Sequence, residues 1–160
     1  MAEDKDYELW VLLAQAREAM YKVRQHELRR YNISPRQSAV LFIIQAIGDK
    51  VTPAEISRWL LRESHSVSEI INRMEKKGLL KKVRDLDRKN LVRIELTEKG
   101  SEAYNQAIKR ESIHTIMSAL SDEERRQFSS TLKKIRDRAI QESRKELRTP
   151  FSPFPPFPPL

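Results

Sequence analysis

The chain contains no cysteine among its 160 residues. This absence excludes disulfides, thiolate metal ligands, cysteine nucleophiles and thiol-based redox sensing. Glycine is almost as scarce, with three residues, and neither a glycine-rich phosphate-binding loop nor a nucleophile elbow occurs. The three histidines, His26, His65 and His114, are too scattered to form a metal-spaced cluster. The sequence therefore predicts no cofactor, no metal and no enzymatic activity.

Long hydrophobic runs are also missing. The longest apolar run, from Ala39 to Ile44, is far shorter than the ~20 residues that a membrane-spanning helix needs. The first six residues are acidic and polar and do not resemble a secretory signal. We therefore expect a cytoplasmic protein without a membrane partner.

Positive charge is what the chain has in excess. Its formal net charge is +8 and its isoelectric point is about 9.8, which favours a polyanionic partner such as nucleic acid. Between Arg73 and Arg93 there are nine lysines or arginines and three acidic residues. Such a block is also typical of a solvated surface, so charge alone does not decide between these two interpretations.

Capping signals mark the ends of the predicted helices. Residues 34–37, 52–55 and 121–124 each have the pattern of a capping box, and the first two also place proline at the first helical position. Gly48 and Gly78 follow apolar periodic segments and predict left-handed helix C-caps. Together these signals predict six helices, at residues 6–31, 35–47, 53–60, 64–77, 98–119 and 122–147, and two strands, at residues 79–84 and 91–97.

The order of these elements predicts a mainly α fold with a small antiparallel β-hairpin. Residues 34–97 have the helix-helix-helix-strand-strand order of a winged helix-turn-helix. Its predicted core consists of Val40, Leu41, Ile44, Ile47, Ile56, Leu60, Val67, Ile70, Ile71, Met74, Leu79 and Leu96.

The flanking helices predict a homodimer. Apolar stripes at helical spacing occur in residues 1–33 and 98–148. The winged unit at residues 34–97 is too small to cover them, so these two segments are predicted to form a helical dimerisation region. Packing of these helices within one chain is the alternative. The Pro/Phe-rich tail at residues 149–160 should be extended and polyproline-like, and either stays unattached or docks on a partner.

The chain resembles the MarR family (multiple antibiotic resistance regulator type). The likeness lies in Leu41 to Ile44, Thr52 to Ile56, Ser66 to Leu80 and Leu96 to Gly100, and it covers about residues 6–147. The resemblance implies a dimeric transcription regulator whose helix at 64–77 reads the major groove and whose wing tip reaches the minor groove. The first and the last two helices would dimerise.

One part of the wing departs from the family pattern. Lys89 stands where the family's Asp-x-Arg motif has its arginine, and about one extra residue precedes the Leu-Thr pair at positions 96 and 97. Either Arg88 or Lys89 could therefore supply the charge that a narrow minor groove attracts.

The polar face of the helix at 64–77 supplies candidates for reading bases. Asn72 suits a bidentate contact with adenine, and Lys76 suits a phosphate. Arg73 either contacts the DNA backbone or pairs with Asp85 or Asp87 and braces the wing, and one serine at the start of the helix is the expected N-cap. The predicted DNA-binding residues are Arg36, Gln37, Thr52, Ser64, His65, Ser66, Ser68, Asn72, Arg73, Lys76, Arg88 and Lys89.

The family analogy also suggests a small aromatic effector, bound where the dimerisation helices meet the winged unit. Its candidate contacts are Tyr21, His26, Tyr31, Phe42 and Trp59, each of which could instead be a core residue. The sequence as a whole predicts a sequence-specific DNA-binding transcription regulator, a repressor acting as a homodimer on a palindromic operator. The alternative is a winged-helix protein-interaction module that binds DNA only non-specifically.

Overall fold

The computed structural model describes residues 4–48, 51–85, 87–88 and 90–146, which fall into two compact units divided between Ser112 and Ile113. The Pro/Phe-rich tail lies outside the described residues. The helices and strands are α1 (Lys5–Arg29), α2 (Pro35–Ile47), α3 (Pro53–Leu60), α4 (Ser64–Lys76), β1 (Leu80–Arg84), β2 (Val92–Leu96), α5 (Glu98–Ala107), α6 (Glu111–Met117) and α7 (Asp122–Glu146). The predicted mainly α fold with an antiparallel hairpin is confirmed.

The predicted single helix at 98–119 is wrong, because the structure divides it into α5 and α6. The carbonyl oxygen of Ala107 accepts a hydrogen bond from Arg24 Nη2 at 2.7 Å. Arg110 has a φ of +52°, and its guanidinium lies 5.4 Å from the ring centre of Phe42. These partners come from α1 and α2, so the break depends on tertiary contacts that no local stop signal announces.

The three predicted capping boxes are confirmed. Ser34 and Thr52 cap α2 and α3, with Gln37 and Glu55 bonding back to the cap backbone and proline at the first helical position. Before α7, the Ser121 N–H donates to Glu124 Oε2 at 2.8 Å, and the Glu124 N–H donates to the serine hydroxyl at 3.3 Å. These bonds pair backbone N–H groups that a helix start otherwise leaves without an intrahelical acceptor.

The two glycine stops differ from each other. Gly78 has a φ of +74°, and the Leu79 N–H donates to Met74 O at 3.0 Å, which is the Schellman arrangement. Gly48 also has a positive φ, +78°, but its ψ of −150° is extended rather than left-handed helical, so the predicted left-handed cap is wrong there. Glycine alone tolerates both conformations without a steric cost.

The core of the first unit confirms most of its predicted members and adds others. Val40, Leu41, Ile44, Ile56, Val67, Ile71, Met74 and Leu79 are buried, while Ile47, Leu60, Ile70 and Leu96 pack against them half-buried. The buried residues that the sequence did not predict are Leu28, Ile33, Ile43, Val51, Leu80, Ile94, Ala103 and Ala107. The N–H of Ile94 donates to Val51 O at 3.0 Å, which ties the hairpin to the segment before α3.

Close backbone contact fixes the base of the hairpin against α5. Thr97 Oγ1 donates to Gly78 O at 2.5 Å and accepts from the Gly100 N–H at 3.1 Å. A Cβ at position 100 would lie 1.8 Å from Leu79 O, so only glycine permits this approach. The hairpin is thereby held at a fixed distance from the end of α4.

The second unit comprises most of α6 and the long helix α7. An open cleft of about 510 Å³ is lined by Met117, Leu120, Arg125, Phe128, Ser129, Leu132, Lys133 and Arg136. None of the helices in the described ranges combines the length and the apolar character that crossing a bilayer requires.

Candidate nucleic-acid interface

The polar face of α4 is exposed, as its sequence predicts. Val67, Ile71 and Met74 are buried, and at 100° per residue His65, Asn72 and Lys76 fall within about 40° of one another on the opposite side. These three side chains are exposed, and so are Ser64 and Ser68, whereas Ser66 is half-buried. The helix thus presents donors and acceptors on a surface free of bulky apolar side chains.

The serine expected to cap α4 does not do so. The N-cap is Glu63, which makes no side-chain capping bond, and Ser64 is the first helical residue. Leu61 is left-handed with a φ of +51°, and this tight turn brings Glu63 to the cap position. The Ser68 hydroxyl donates to Ser64 O at 2.9 Å, so it is held against its own helix.

The hypothesis that Arg73 braces the wing through Asp85 or Asp87 is wrong for Asp85. Arg73 lies 3.8 Å from Glu69 on its own helix. The partner of Asp85 is Arg93, whose Nε and Nη2 both lie 2.6 Å from Asp85 Oδ2. Arg93 lies on β2 opposite Val83, so it reaches the start of the tip from within the hairpin.

Asp85 also orders the wing tip. Its Oδ1 accepts the backbone N–H of Asp87 at 2.9 Å and that of Arg88 at 3.0 Å. These two hydrogen bonds, and to a smaller extent the Arg93 guanidinium, hold the pKa of the Asp85 carboxyl below its ordinary value. The exposed Arg88 side chain is thereby placed on an anchored turn. Lys89 lies outside the described residues, so the choice between Arg88 and Lys89 stays open.

A lysine of the hairpin contacts the middle of α4. Lys82 Nζ donates to Asn72 Oδ1 at 2.5 Å and lies 3.3 Å from Glu75 Oε2. Lys82 is not among the residues that the sequence predicts for the site. Side chains alternate between the two faces of a strand, so Lys82 lies on the same face as the buried Leu80. This alternation could have identified Lys82 as the lysine that faces α4.

The two candidates at the start of α2 have different environments. Arg36 is exposed, with its guanidinium 5.7 Å from the ring centre of Tyr21. Gln37 is only 7% exposed, and its Oε1 accepts the Ser34 N–H at 3.1 Å and Lys77 Nζ at 3.3 Å. Gln37 is therefore a capping residue in this fold, and its side chain is too buried to reach DNA.

Thr52 is half-buried at the start of α3 and engaged in its own capping box. Its hydroxyl accepts the Glu55 N–H at 3.3 Å, and its N–H donates to Glu55 Oε2 at 2.9 Å. A phosphate at this helix start would compete with the Glu55 carboxylate for that N–H.

The five candidate effector contacts do not line either of the two cavities described. Tyr31, Phe42 and Trp59 are half-buried and pack against the core, Tyr21 is half-buried, and His26 is exposed. A cavity of about 210 Å³ in the first unit is instead lined by Ile44, Gln45, Gly48, Ile94, Glu95 and Leu96. Within the described residues, no group of three or more acidic or histidine side chains could hold a metal ion.

Several known proteins are similar to this chain. A sequence model described as MarR family matches residues 31–89. The uncharacterized HTH-type transcriptional regulator YsmB of Bacillus subtilis (strain 168) is 28% identical over 110 residues, which are 68% of this chain and 75% of that protein.

Two solved structures are similar to this chain. The organohalide-sensing transcriptional regulator RdhR-CbdbA1625, in its form with bound 2,4-dichlorophenol, has a TM-score of 0.84 and 32% identity, covering 98% of this chain and 93% of its own. The complex of Staphylococcus aureus MepR with DNA has a TM-score of 0.73 and 25% identity, covering 79% and 95%.

Proposed function

Because the chain belongs to the MarR family of winged helix-turn-helix transcription regulators, we propose that it is a sequence-specific repressor that acts as a homodimer on a palindromic operator. The observation that carries this proposal is the exposed polar face of α4 beside a basic, internally anchored hairpin. The major groove of DNA is about 12 Å wide and admits one α-helix. A helix with an exposed polar face can hydrogen-bond to the base edges there.

We assign the roles within this surface by position. His65, Asn72 and the serines near the start of α4 read base edges, while Lys76 contacts phosphate. Arg88, at the anchored wing tip, enters the minor groove. Arg36, at the exposed start of α2, contacts the backbone of the same half-site. Residues 34–97 are the proposed DNA-binding domain, and residues 1–33 with 98–148 the proposed dimerisation region.

Exposed ion pairs within this surface do not oppose DNA binding. Lys81 lies 3.2 Å from Glu95, and Arg73 lies 3.8 Å from Glu69, with both basic side chains more than half exposed. Such pairs contribute at most about 1 kcal/mol, so these cations can exchange a carboxylate for a phosphate at small cost.

The proposed homodimer is supported by exposed apolar side chains on α1. Tyr7, Leu9, Trp10 and Leu12 on α1 are each at least 61% exposed. A two-fold dimer carries two α4 helices, so its operator should be palindromic, with half-sites about one helical turn apart.

A small aromatic effector is proposed by similarity to the regulator with bound 2,4-dichlorophenol. Such a ligand would act by binding one spacing of the two α4 helices better than the other. Tyr31, Phe42 and Trp59 have the aromatic character that such a ligand requires, and they pack between the core and the surface.

The test is selection of genomic fragments by the purified protein, followed by sequencing and salt titration on a recovered fragment. We expect a shared palindrome, and binding that weakens about a thousandfold between 50 and 200 mM salt if about six phosphates are contacted. Arg88→Ala should weaken binding to all fragments, whereas Lys22→Ala, which removes one exposed charge on α1, should not. Equal binding to selected and random duplexes would instead indicate the protein-interaction module.

A further inference from the structure

Asn72 lies at the centre of the exposed face of α4, and its side chain is already engaged. Its Oδ1 accepts Lys82 Nζ at 2.5 Å, and Lys82 Nζ lies 3.3 Å from Glu75 Oε2. Glu75 is one turn along α4 from Asn72. A cation of the hairpin thus bridges two side chains of the helix that faces the DNA.

The chemistry of this contact fixes which way the amide points. A side-chain amide has one acceptor oxygen and one donor NH2 group, whereas an ammonium group can only donate. Lys82 therefore selects the rotamer in which Oδ1 of Asn72 faces the wing. The Nδ2 group, on the other branch of the same planar amide, turns away from Lys82.

This orientation is unsuited to the adenine contact expected from the sequence. A bidentate contact with adenine requires Oδ1 to accept from N6 while Nδ2 donates to N7. Lys82 Nζ takes one of the two lone pairs of Oδ1, and its positive charge beside this oxygen disfavours the approach of a further donor such as adenine N6. Guanine presents two acceptors, N7 and O6, at the corresponding edge.

We propose that Lys82 is a positioning residue that makes Asn72 read guanine rather than adenine. The proposal rests on the proposed function, because it assumes that α4 enters the major groove. Glu75 belongs to the same device, since its carboxylate holds the ammonium beside Asn72 instead of releasing it to a phosphate.

The experiment measures binding of the full-length protein to the recovered operator with each base pair replaced in turn. For the wild type we expect one guanine per half-site whose replacement by adenine weakens binding about tenfold. Asn72→Ala should abolish that discrimination, and 7-deazaguanine at the same position, which lacks the N7 acceptor, should weaken binding to the wild type.

The decisive variant is Lys82→Met, which keeps an unbranched side chain of nearly the same length and removes its charge. It should shift the preference at that one position from guanine towards adenine, because the amide becomes free to turn. The matched control is Lys81→Met, the adjacent lysine of β1 that pairs with Glu95. It should lower overall affinity to a similar extent and leave every base preference unchanged.

An unchanged guanine preference in Lys82→Met would overturn the inference, and so would an adenine preference that depends on Asn72 in the wild type. Both outcomes leave selective DNA binding intact, so they do not affect the proposed function. A wild type that shows no base preference at any position would overturn the proposed function together with the inference.

Discussion

Glu27 is the side chain on which several contacts of α1 converge. Its carboxylate lies 2.6 Å from Arg24 Nη1 and accepts a hydrogen bond from Ser112, while Arg24 Nη2 holds the Ala107 carbonyl. Burial opposes ionisation of Glu27, but the hydrogen bonds from Ser112 and Arg24 and the charge of Arg24 outweigh it, so its pKa falls below the ordinary 4.5. The charged carboxylate links α1 to the break between α5 and α6.

Glu27→Gln should therefore destabilise the protein in a pH-dependent way. A carboxyl whose pKa is lowered by folding stabilises the fold above its unfolded pKa, and this contribution is lost as the pH falls through the folded pKa. We expect the free energy of unfolding to drop by about 1–2 kcal/mol at pH 7. The difference from the wild type should shrink as the pH falls below 4.5.

Urea unfolding at several pH values measures the loss of unfolding free energy at pH 7 and the way this loss changes with pH. Glu18→Gln is the control, because Glu18 lies 3.8 Å from Lys22 in an exposed pair and its loss should change the free energy of unfolding by less than about 0.5 kcal/mol. A difference between wild type and Glu27→Gln that stays constant between pH 7 and pH 3 would contradict this account of Glu27.

Gly100 is required for a different reason, close backbone approach. Gly100→Ala places a methyl group 1.8 Å from Leu79 O, so α5 or the hairpin must move. We expect a loss of about 3 kcal/mol in the free energy of unfolding, measured by chemical denaturation. Glu102→Ala, an exposed position of the same helix, should change it by less than about 0.5 kcal/mol. An unchanged free energy of unfolding in Gly100→Ala would contradict the close approach of Leu79 O to this position.

At the scale of elements, we expect two adjacent residues in the first turn of α2 to differ in role, Gln37 in stabilising the fold and Arg36 in binding DNA. Gln37→Ala removes a buried acceptor shared by Ser34 and Lys77, and should lower the free energy of unfolding by about 1–2 kcal/mol without a change in intrinsic affinity for the operator. Arg36→Ala removes an exposed cation, and should weaken operator binding severalfold with less than about 1 kcal/mol of destabilisation.

Thermal denaturation measures the stability of each variant, and titration with the operator measures its affinity for DNA. The two variants serve as controls for each other, because they lie side by side on one helix. Weaker operator binding by Gln37→Ala, at a temperature where the variant is fully folded, would indicate that Gln37 contacts the operator.

The elements that the sequence predicted well are those whose ends depend on neighbouring residues. The bounds of α2 and α3 follow from capping boxes that span four residues, and local spacing is sufficient to identify such boxes. The end of α5 is different, because Arg24 and Phe42 stabilise it from distant parts of the chain. The wing brace likewise comes from Arg93 rather than Arg73, since strand register decides which cation reaches Asp85.

At the scale of the whole molecule, the exposed apolar residues of α1 predict the assembly. Trp10 is 70% exposed and Leu9 is 65% exposed, and a large aromatic side chain at the centre of an interface is a typical hot spot. Trp10→Glu should raise the dimer dissociation constant more than tenfold and weaken operator binding, because each half-site would then be bound separately.

Light scattering coupled to size-exclusion chromatography measures the mass of each species. Gln15→Glu, at another exposed position of α1, is the control and should leave the dimer intact. A wild type that is monomeric at micromolar concentration, or a Trp10→Glu variant that stays dimeric, would contradict the proposed role of α1.

The sequence by itself determined the three capping boxes, the exposed polar face of α4, the basic hairpin and the family, because these depend on residues close together in the chain. Tertiary structure alone decided that Gln37 is buried, that Val51 and Ile94 join the core, and that Lys82 reaches Asn72. These outcomes depend on which faces of distant elements meet. Residue type and spacing restrict that choice, but only the packed chain brings the partners within hydrogen-bonding distance.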